Sequence, residues 1–219
     1  MKNSKDYAKQ IDKLFRRMRQ DRGKFSPPNY ADPLPALIDG IFLEHWTVTQ
    51  THSALKRIHE HFVDDNDLRV SRQDEVLDAM GVRDTDSRAI TTSLLMSLMA
   101  IFNRHDQLRL QFLCEQGKRQ ARKELELIAG LTPFAIDYCF LHALDGHTIP
   151  LNRVTIDFLK TGELVHPEST DEEIQGFLVR QISAAQAREF ATLLHAEAMS
   201  AANDAARKAA KPAPKRKKS

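Results

Sequence analysis

Residues 118–153 read KRQARKELELIAGLTPFAIDYCFLHALDGHTIPLNR. Lys118–Ile128 has helical spacing, basic at its start and apolar at its end, and Gly130-Leu131 makes a tight turn. Thr132-Pro133 restarts a helix, with Thr as N-cap and Pro at the first helical position. The helix expected over 133–144 is apolar nearly all round, with only Asp137 and His142 polar, so it belongs at the centre of a domain. Gly146 ends it, and a further short helix is expected over 151–160. A turn of this kind between two helices points backbone N–H groups outward at a helix N-terminus, which binds phosphate without side-chain charge. Gly130, Leu131, Thr132 and Phe134 would form that grip, and Lys118, Arg119, Arg122 and Lys123 would add charge. A plain packing turn is the competing reading of the turn by itself.

The flanks are helical too. Ile11, Leu14, Phe15 and Met18 share one face of a helix over 5–20, and Ser26-Pro27-Pro28-Asn29 breaks the chain. Leu34–Phe42 and Val48–Phe62 give two more helices, Asp64-Asp65-Asn66-Asp67 reads as a polar loop, and a helix near 74–80 stops at Gly81. Ile90, Leu94, Leu98 and Ile101 mark a helix from about 86 to 103. Thr170 and Glu173 make a capping box, and Ser183 opens a helix with Ala187, Phe190, Ala191 and Leu194 inward. No segment alternates with period two, so the expectation is an all-α, two-lobed protein of roughly ten helices. Residues 1–31 form an N-terminal helix packed on the second lobe, 32–148 the central lobe, 149–205 the second lobe, and 206–219 a basic disordered tail.

Hydrophobic residues make up 42% and charged residues 28% of the 219, the balance of an ordinary globular protein. No apolar run approaches a membrane span and Met1–Lys24 has no signal-peptide core, so a secreted or membrane protein is not expected. Cys114 and Cys139 are too few for a disulfide framework or a four-thiolate metal site. The net charge of +2 hides an asymmetry: residues 1–24 are net +6, residues 207–219 net +7, and the body between them net −11. Basic arms of this kind usually meet a polyanion, most often nucleic acid. Lys215, Arg216, Lys217 and Lys218 are the densest part of that charge and suit a DNA arm or a nuclear import signal.

The order of elements resembles the helix–hairpin–helix DNA glycosylases, the endonuclease III-like group. Ile128–Ile136 occupies that family's Leu-Pro-Gly-Val-Gly-Arg-Lys-Thr-Ala pattern, and Leu151-Asn152-Arg153-Val154 its helix start ending Val-Asp-Thr-His. Leu37–Thr47 is similar to the family's apolar helix before the loop that probes the minor groove, which brings His45 and Trp46 to the family's wedge. The resemblance covers about residues 30–200 and implies duplex DNA, damaged or abasic, as the partner. It also shows departures. Thr132 replaces the second hairpin glycine, Phe134 stands at the Schiff-base lysine, Asn152 stands at the catalytic aspartate, and the four cluster cysteines are absent, so no cofactor or metal is expected.

Phe134 cannot attack a sugar carbon. Asn152 lacks the charge and basicity to activate a nucleophile, though Asn remains an excellent N-cap. Three readings follow. The first is a catalytically degenerate DNA-binding protein. The second is an active monofunctional glycosylase, without strand cleavage, that uses a substitute acid. Asp137 is the leading candidate and Asp157 a lesser one, although a hydrogen-bonded core acid is the ordinary role for Asp137. The third is a helical protein-interaction module that shares only the fold. A monomer in a bacterial cytoplasm, at the nucleoid, or in a nucleus fits the first two. His45, His52 and His59 recur every seven residues on one face, but i, i+7 is too wide for one metal ion, so a solvent- or DNA-facing stripe is expected.

Overall fold

The computed structural model describes residues 4–22, 26 and 28–209. Lys215, Arg216, Lys217 and Lys218 lie outside the described residues. The described residues form twelve helices and no strand.

Helix α9 (Pro133–His142) is the axis of the molecule. Thr132 caps it by accepting from the Ala135 N–H at 3.2 Å, and eight of its ten residues are buried. Helix α2 (Pro33–Leu43) lies along it, capped by Asp32. A Cβ on Gly40 would stand 3.0 Å from the Ala135 backbone and 3.2 Å from the Tyr138 Cβ, so the missing side chain lets the two helices approach closely. Helices α3 (Val48–His61), α5 (Gln73–Met80), α6 (Thr85–His105) and α8 (Lys118–Glu126) complete one hydrophobic core around Leu37, Phe42, Leu94, Leu98 and Cys139. A second core joins α1 (Ser4–Arg22), α10 (Arg153–Thr161), α11 (Asp171–Gln181) and α12 (Ala184–Ala209) around Ile11, Met18, Leu159, Phe190 and Leu194. Leu141 of α9 belongs to this second core, while Ala135, Ile136, Cys139 and Phe140 belong to the first.

Three expectations change. Asp64–Asp67 is not a loop: Asp64 caps a short helix, α4 (Asp65–Val70), by accepting from the N–H groups of Asn66 and Asp67, each at 2.9 Å. Acidic residues in a first helical turn favour the positive end of the dipole, and that local rule was open to reading in the sequence. Helix α7 (Phe112–Glu115) is a single turn with too few residues to show a period. At the other end α12 continues to Ala209, past the expected start of the tail. Its last ten side chains are all exposed, so alanine's helix propensity rather than burial carries that extension.

Candidate nucleic-acid interface

The hairpin between α8 and α9 is built as the sequence suggests. Gly130 has φ +90°, and its carbonyl accepts from the Ser93 hydroxyl of α6 at 2.6 Å. That bond fastens the turn to the first core. Thr132 does two jobs, since its hydroxyl caps α9 and also donates to Glu44 Oε2 at 2.6 Å.

The basic residues expected beside the hairpin do not gather there. Lys118 and Arg119 stand at the far end of α8, about 12 Å of helix away. The Lys118 ammonium donates to the Asp145 carbonyl, while Arg119 and Lys123 are exposed. Arg122 is held by carboxylates, donating to Asp137 Oδ1 at 2.7 Å and to Glu126 Oε1 at 3.0 Å. Asp137 is buried, and its Oδ2 accepts from Gln175 at 2.5 Å. Both of its oxygens are therefore engaged, the arrangement of a structural core acid. Trp46 is corrected as well: it is 6% exposed, its ring 5.8 Å from that of Phe42, so it offers no face to a base. His45 is half-buried with Nδ1 3.5 Å from Asp86.

Two cavities flank Phe134. The first, about 420 Å³, lies between the lobes and is lined by Tyr30, Asp39, His52, Phe134, Tyr138, His142 and His195. Phe134 and Tyr138 stack at 6.4 Å between centroids, and the Tyr138 ring lies 4.3 Å from His142. On the wall, Tyr30 donates to Asp39 Oδ2 at 2.5 Å. The Tyr30 proton is then committed, so Tyr138 donates to the Tyr30 oxygen at 3.1 Å. Burial raises the Asp39 carboxyl above its usual range, against the opposing pull of the Tyr30 hydrogen bond and of His52 and His59. The same burial pushes both tyrosine hydroxyls well up, so they stay protonated. His195 donates from Nε2 to the Leu43 carbonyl at 2.7 Å, and burial lowers its pKa. For His142, burial and the nearby Arg188 charge depress the pKa to about 3, which keeps the ring neutral. Neither His142 ring nitrogen has a hydrogen-bond partner among the described residues.

The second cavity, about 590 Å³, lies on the other side of Phe134 and is lined by Glu44, Arg122, Asp137, Asn152, Arg153, Asp157, Lys160, Asp171, Glu172 and Gln175 among others. Asn152 is buried here and fully committed. Its Oδ1 caps α10 by accepting from the Thr155 N–H at 2.9 Å, and its Nδ2 donates to the Glu44 carbonyl at 2.8 Å. Glu44, which sequence reasoning passed over, thus has its backbone on Asn152 and its carboxylate on the hairpin. Five carboxylates line this cleft against three cations, so electrostatics here do not favour a phosphate backbone. Among the described residues no three potential ligands could hold a metal ion; His52 and His59 are exposed, and His52 also lines the first cavity. Nor is any described helix long and apolar enough to cross a membrane.

No family model matches the chain, and no curated protein matches it in sequence. Solved structures do match. Endonuclease III in a trapped covalent DNA intermediate is 12% identical over 86% of this chain and 84% of that one, with a TM-score of 0.64. An 8-oxoguanine glycosylase/lyase from Clostridium acetobutylicum, in complex with double-stranded DNA, is 12% identical over 92% and 71%, with a TM-score of 0.66. The 3-methyladenine DNA glycosylase of H. pylori bound to 1,N6-ethenoadenine is 13% identical over 91% and 98%, with a TM-score of 0.62. At such identities the likeness fixes the backbone architecture: this chain has the fold of the helix–hairpin–helix DNA glycosylases.

Proposed function

We propose that this protein binds duplex DNA through the 128–133 hairpin and holds one nucleobase, turned out of the stack, in the cavity between its lobes. The carrying observation is that cavity. Phe134, in the first turn of the helix that the hairpin opens, lines it, two stacked aromatic rings form its wall, and Tyr30, Asp39 and the histidines bring polar groups to it, as in sites for planar ligands. Arg122 and Lys118 are tied to neighbours, so the attraction for phosphate comes from the hairpin N–H groups, the free Arg119 and Lys123, and the basic arms. Imine chemistry is absent because Phe134 replaces the lysine. Asn152, engaged on both sides as a cap, supplies no catalytic acid of its own. One observation favours the hydrolytic reading instead, the carboxylate of Glu44 at the hairpin.

The test is fluorescence anisotropy of the full chain on plain and abasic-site duplexes across a salt series, with 2-aminopurine as a reporter of unstacking. Tighter binding to the abasic duplex together with a rise in 2-aminopurine emission is the expected result. Equal binding to both duplexes with no emission change refutes the pocket's role. Loss of all binding on removing 207–219 leaves the arm as the only contact and refutes the hairpin's role.

A further inference from the structure

We propose that Glu44 is the catalytic carboxylate of a base-releasing hydrolysis, standing in from α2 for the acid that position 152 lacks. This rests on the reading above, in which a turned-out base occupies the aromatic cavity.

Phe134 is the partition between the two cavities. A base held against its ring on one side puts the attached sugar at its edge, facing the cleft that Glu44, Asn152 and Asp137 line. Hydrolysis at the sugar C1′ develops positive charge on the ring and needs a group to take a proton from water. A carboxylate beside that carbon does both. Asp137 is excluded because Arg122 and Gln175 engage both its oxygens. Asn152 is neutral and acts as a cap. Glu44 remains. Its Oε2 accepts from the Thr132 hydroxyl, a neutral donor that orients the group, and among the described residues no cation forms an ion pair with it. Its backbone is fixed from the other side by Asn152 Nδ2, so the asparagine positions the carboxylate that replaces it.

In the step itself the water oxygen bonds to C1′ while the C1′–N bond breaks. The electron pair of that bond leaves with the base. The water's proton passes to Glu44 and then through solvent to the departing base nitrogen. The products are a neutral free base and an abasic sugar, and no oxidant or metal is required.

The experiment measures single-turnover base release, as alkali-cleavable sites, from duplexes containing uracil, hypoxanthine, 1,N6-ethenoadenine, 8-oxoguanine or 7-methylguanine. Binding to a tetrahydrofuran abasic-analogue duplex is measured in parallel. The wild-type chain should release at least one of these bases. Glu44→Gln, which keeps an acceptor for Thr132, should slow release by about 100-fold or more while binding changes less than about twofold. Glu44→Ala should regain activity with added formate, a rescue that a purely structural role does not give. Release by Glu44→Gln at the wild-type rate overturns the assignment, as does tight wild-type binding with no release from any duplex. Failure of the wild-type chain to bind the abasic analogue refutes the underlying DNA reading instead.

Discussion

Replacing Gly130 with alanine attacks the hairpin at the one place where its backbone admits no side chain. At φ +90° an L-residue sits outside its allowed wells, which costs about 1–2 kcal/mol. The stabilising effect of alanine's smaller unfolded-state freedom is outweighed here, since the native conformation is incompatible with alanine. Space is also lacking. The new Cβ would stand 2.7 Å from the Met96 Cβ, 3.0 Å from the Ser97 nitrogen and 3.1 Å from the Ser93 carbonyl. Two of those atoms are helix backbone and the third is the root of a side chain, so none can swing away. Overpacking of this kind adds about 1–3 kcal/mol, and relief by lifting the turn would break the Ser93–Gly130 hydrogen bond. The total is about 2–5 kcal/mol, or a fall in Tm of about 4–20 °C at about 2–4 °C per kcal/mol for a chain this size. Gly81→Ala is the internal comparison. Its φ is also positive, at +71°, but its Cβ would meet only the far end of the Arg57 side chain, which can give way by shifting its hydrogen bond to the Met80 carbonyl, so about 1–2 kcal/mol is expected. Calorimetric melts of the two variants decide the matter, with abasic-duplex anisotropy of the Gly130 variant below its melting point. A Gly130→Ala protein that melts within a degree of wild type, or no lower than Gly81→Ala, refutes the close hairpin–α6 contact.

Other outcomes follow from the same structure. Arg122→Ala strands a buried carboxylate with only Gln175. Because the Arg122 side chain is 35% exposed, the cost should be about 2–3 kcal/mol, below the roughly 3–5 kcal/mol of a fully buried pair, and read from urea midpoints. His142 stays neutral in the native state down to a pKa of about 3, whereas the unfolded chain protonates near 6.5. The unfolded state therefore binds the extra proton, and stability falls as pH drops from about 6.5 towards 3. His142→Leu should flatten that part of the curve in urea melts at stepped pH, and an unchanged slope contradicts the depressed imidazole. Asn152→Asp keeps the cap but loses the donor to the Glu44 carbonyl and buries a second acid beside Glu44, so thermal stability should fall by about 1–3 kcal/mol. A gain of stability would show that the donor contributes nothing.

Legibility from the sequence divided along the range of the contacts involved. Thr132-Pro133, Thr170 with Glu173, and Asn152 announce helix starts because capping is local and each motif carries its own hydrogen-bond partner. The burial of α9 was equally plain from its composition. Asp137 looked like a perturbed acid on a buried helix; its burial is real, but Arg122 reaches it from the neighbouring helix, and Gln175 comes from another lobe. Glu44 was invisible because nothing local distinguishes it among the chain's 30 acidic residues. It and Asp39 become site residues only when α2 docks on α9, and the local hints were Gly40 and Asp39 itself, the single charged residue of an apolar helix. Trp46 shows the converse error. An aromatic in a family's probing loop suggested stacking on a base, and packing on Phe42 took it into the core.

Helix α9 sorts its side chains by angle. Ala135 and Cys139 face the first core, Phe134, Tyr138 and His142 face the aromatic cavity, and Pro133 and Asp137 face the acidic cleft. Neighbouring faces differ by a single step of about 100° along the chain. Substitutions spaced by four residues can therefore reshape what the cavity admits without touching the packing that holds the lobes together. A one-residue insertion, by contrast, would rotate all three faces at once. Such a helix lets ligand preference drift by point mutation while it forbids change by length, so descendants of this chain should vary at 134, 138 and 142 and keep the register of α9 fixed.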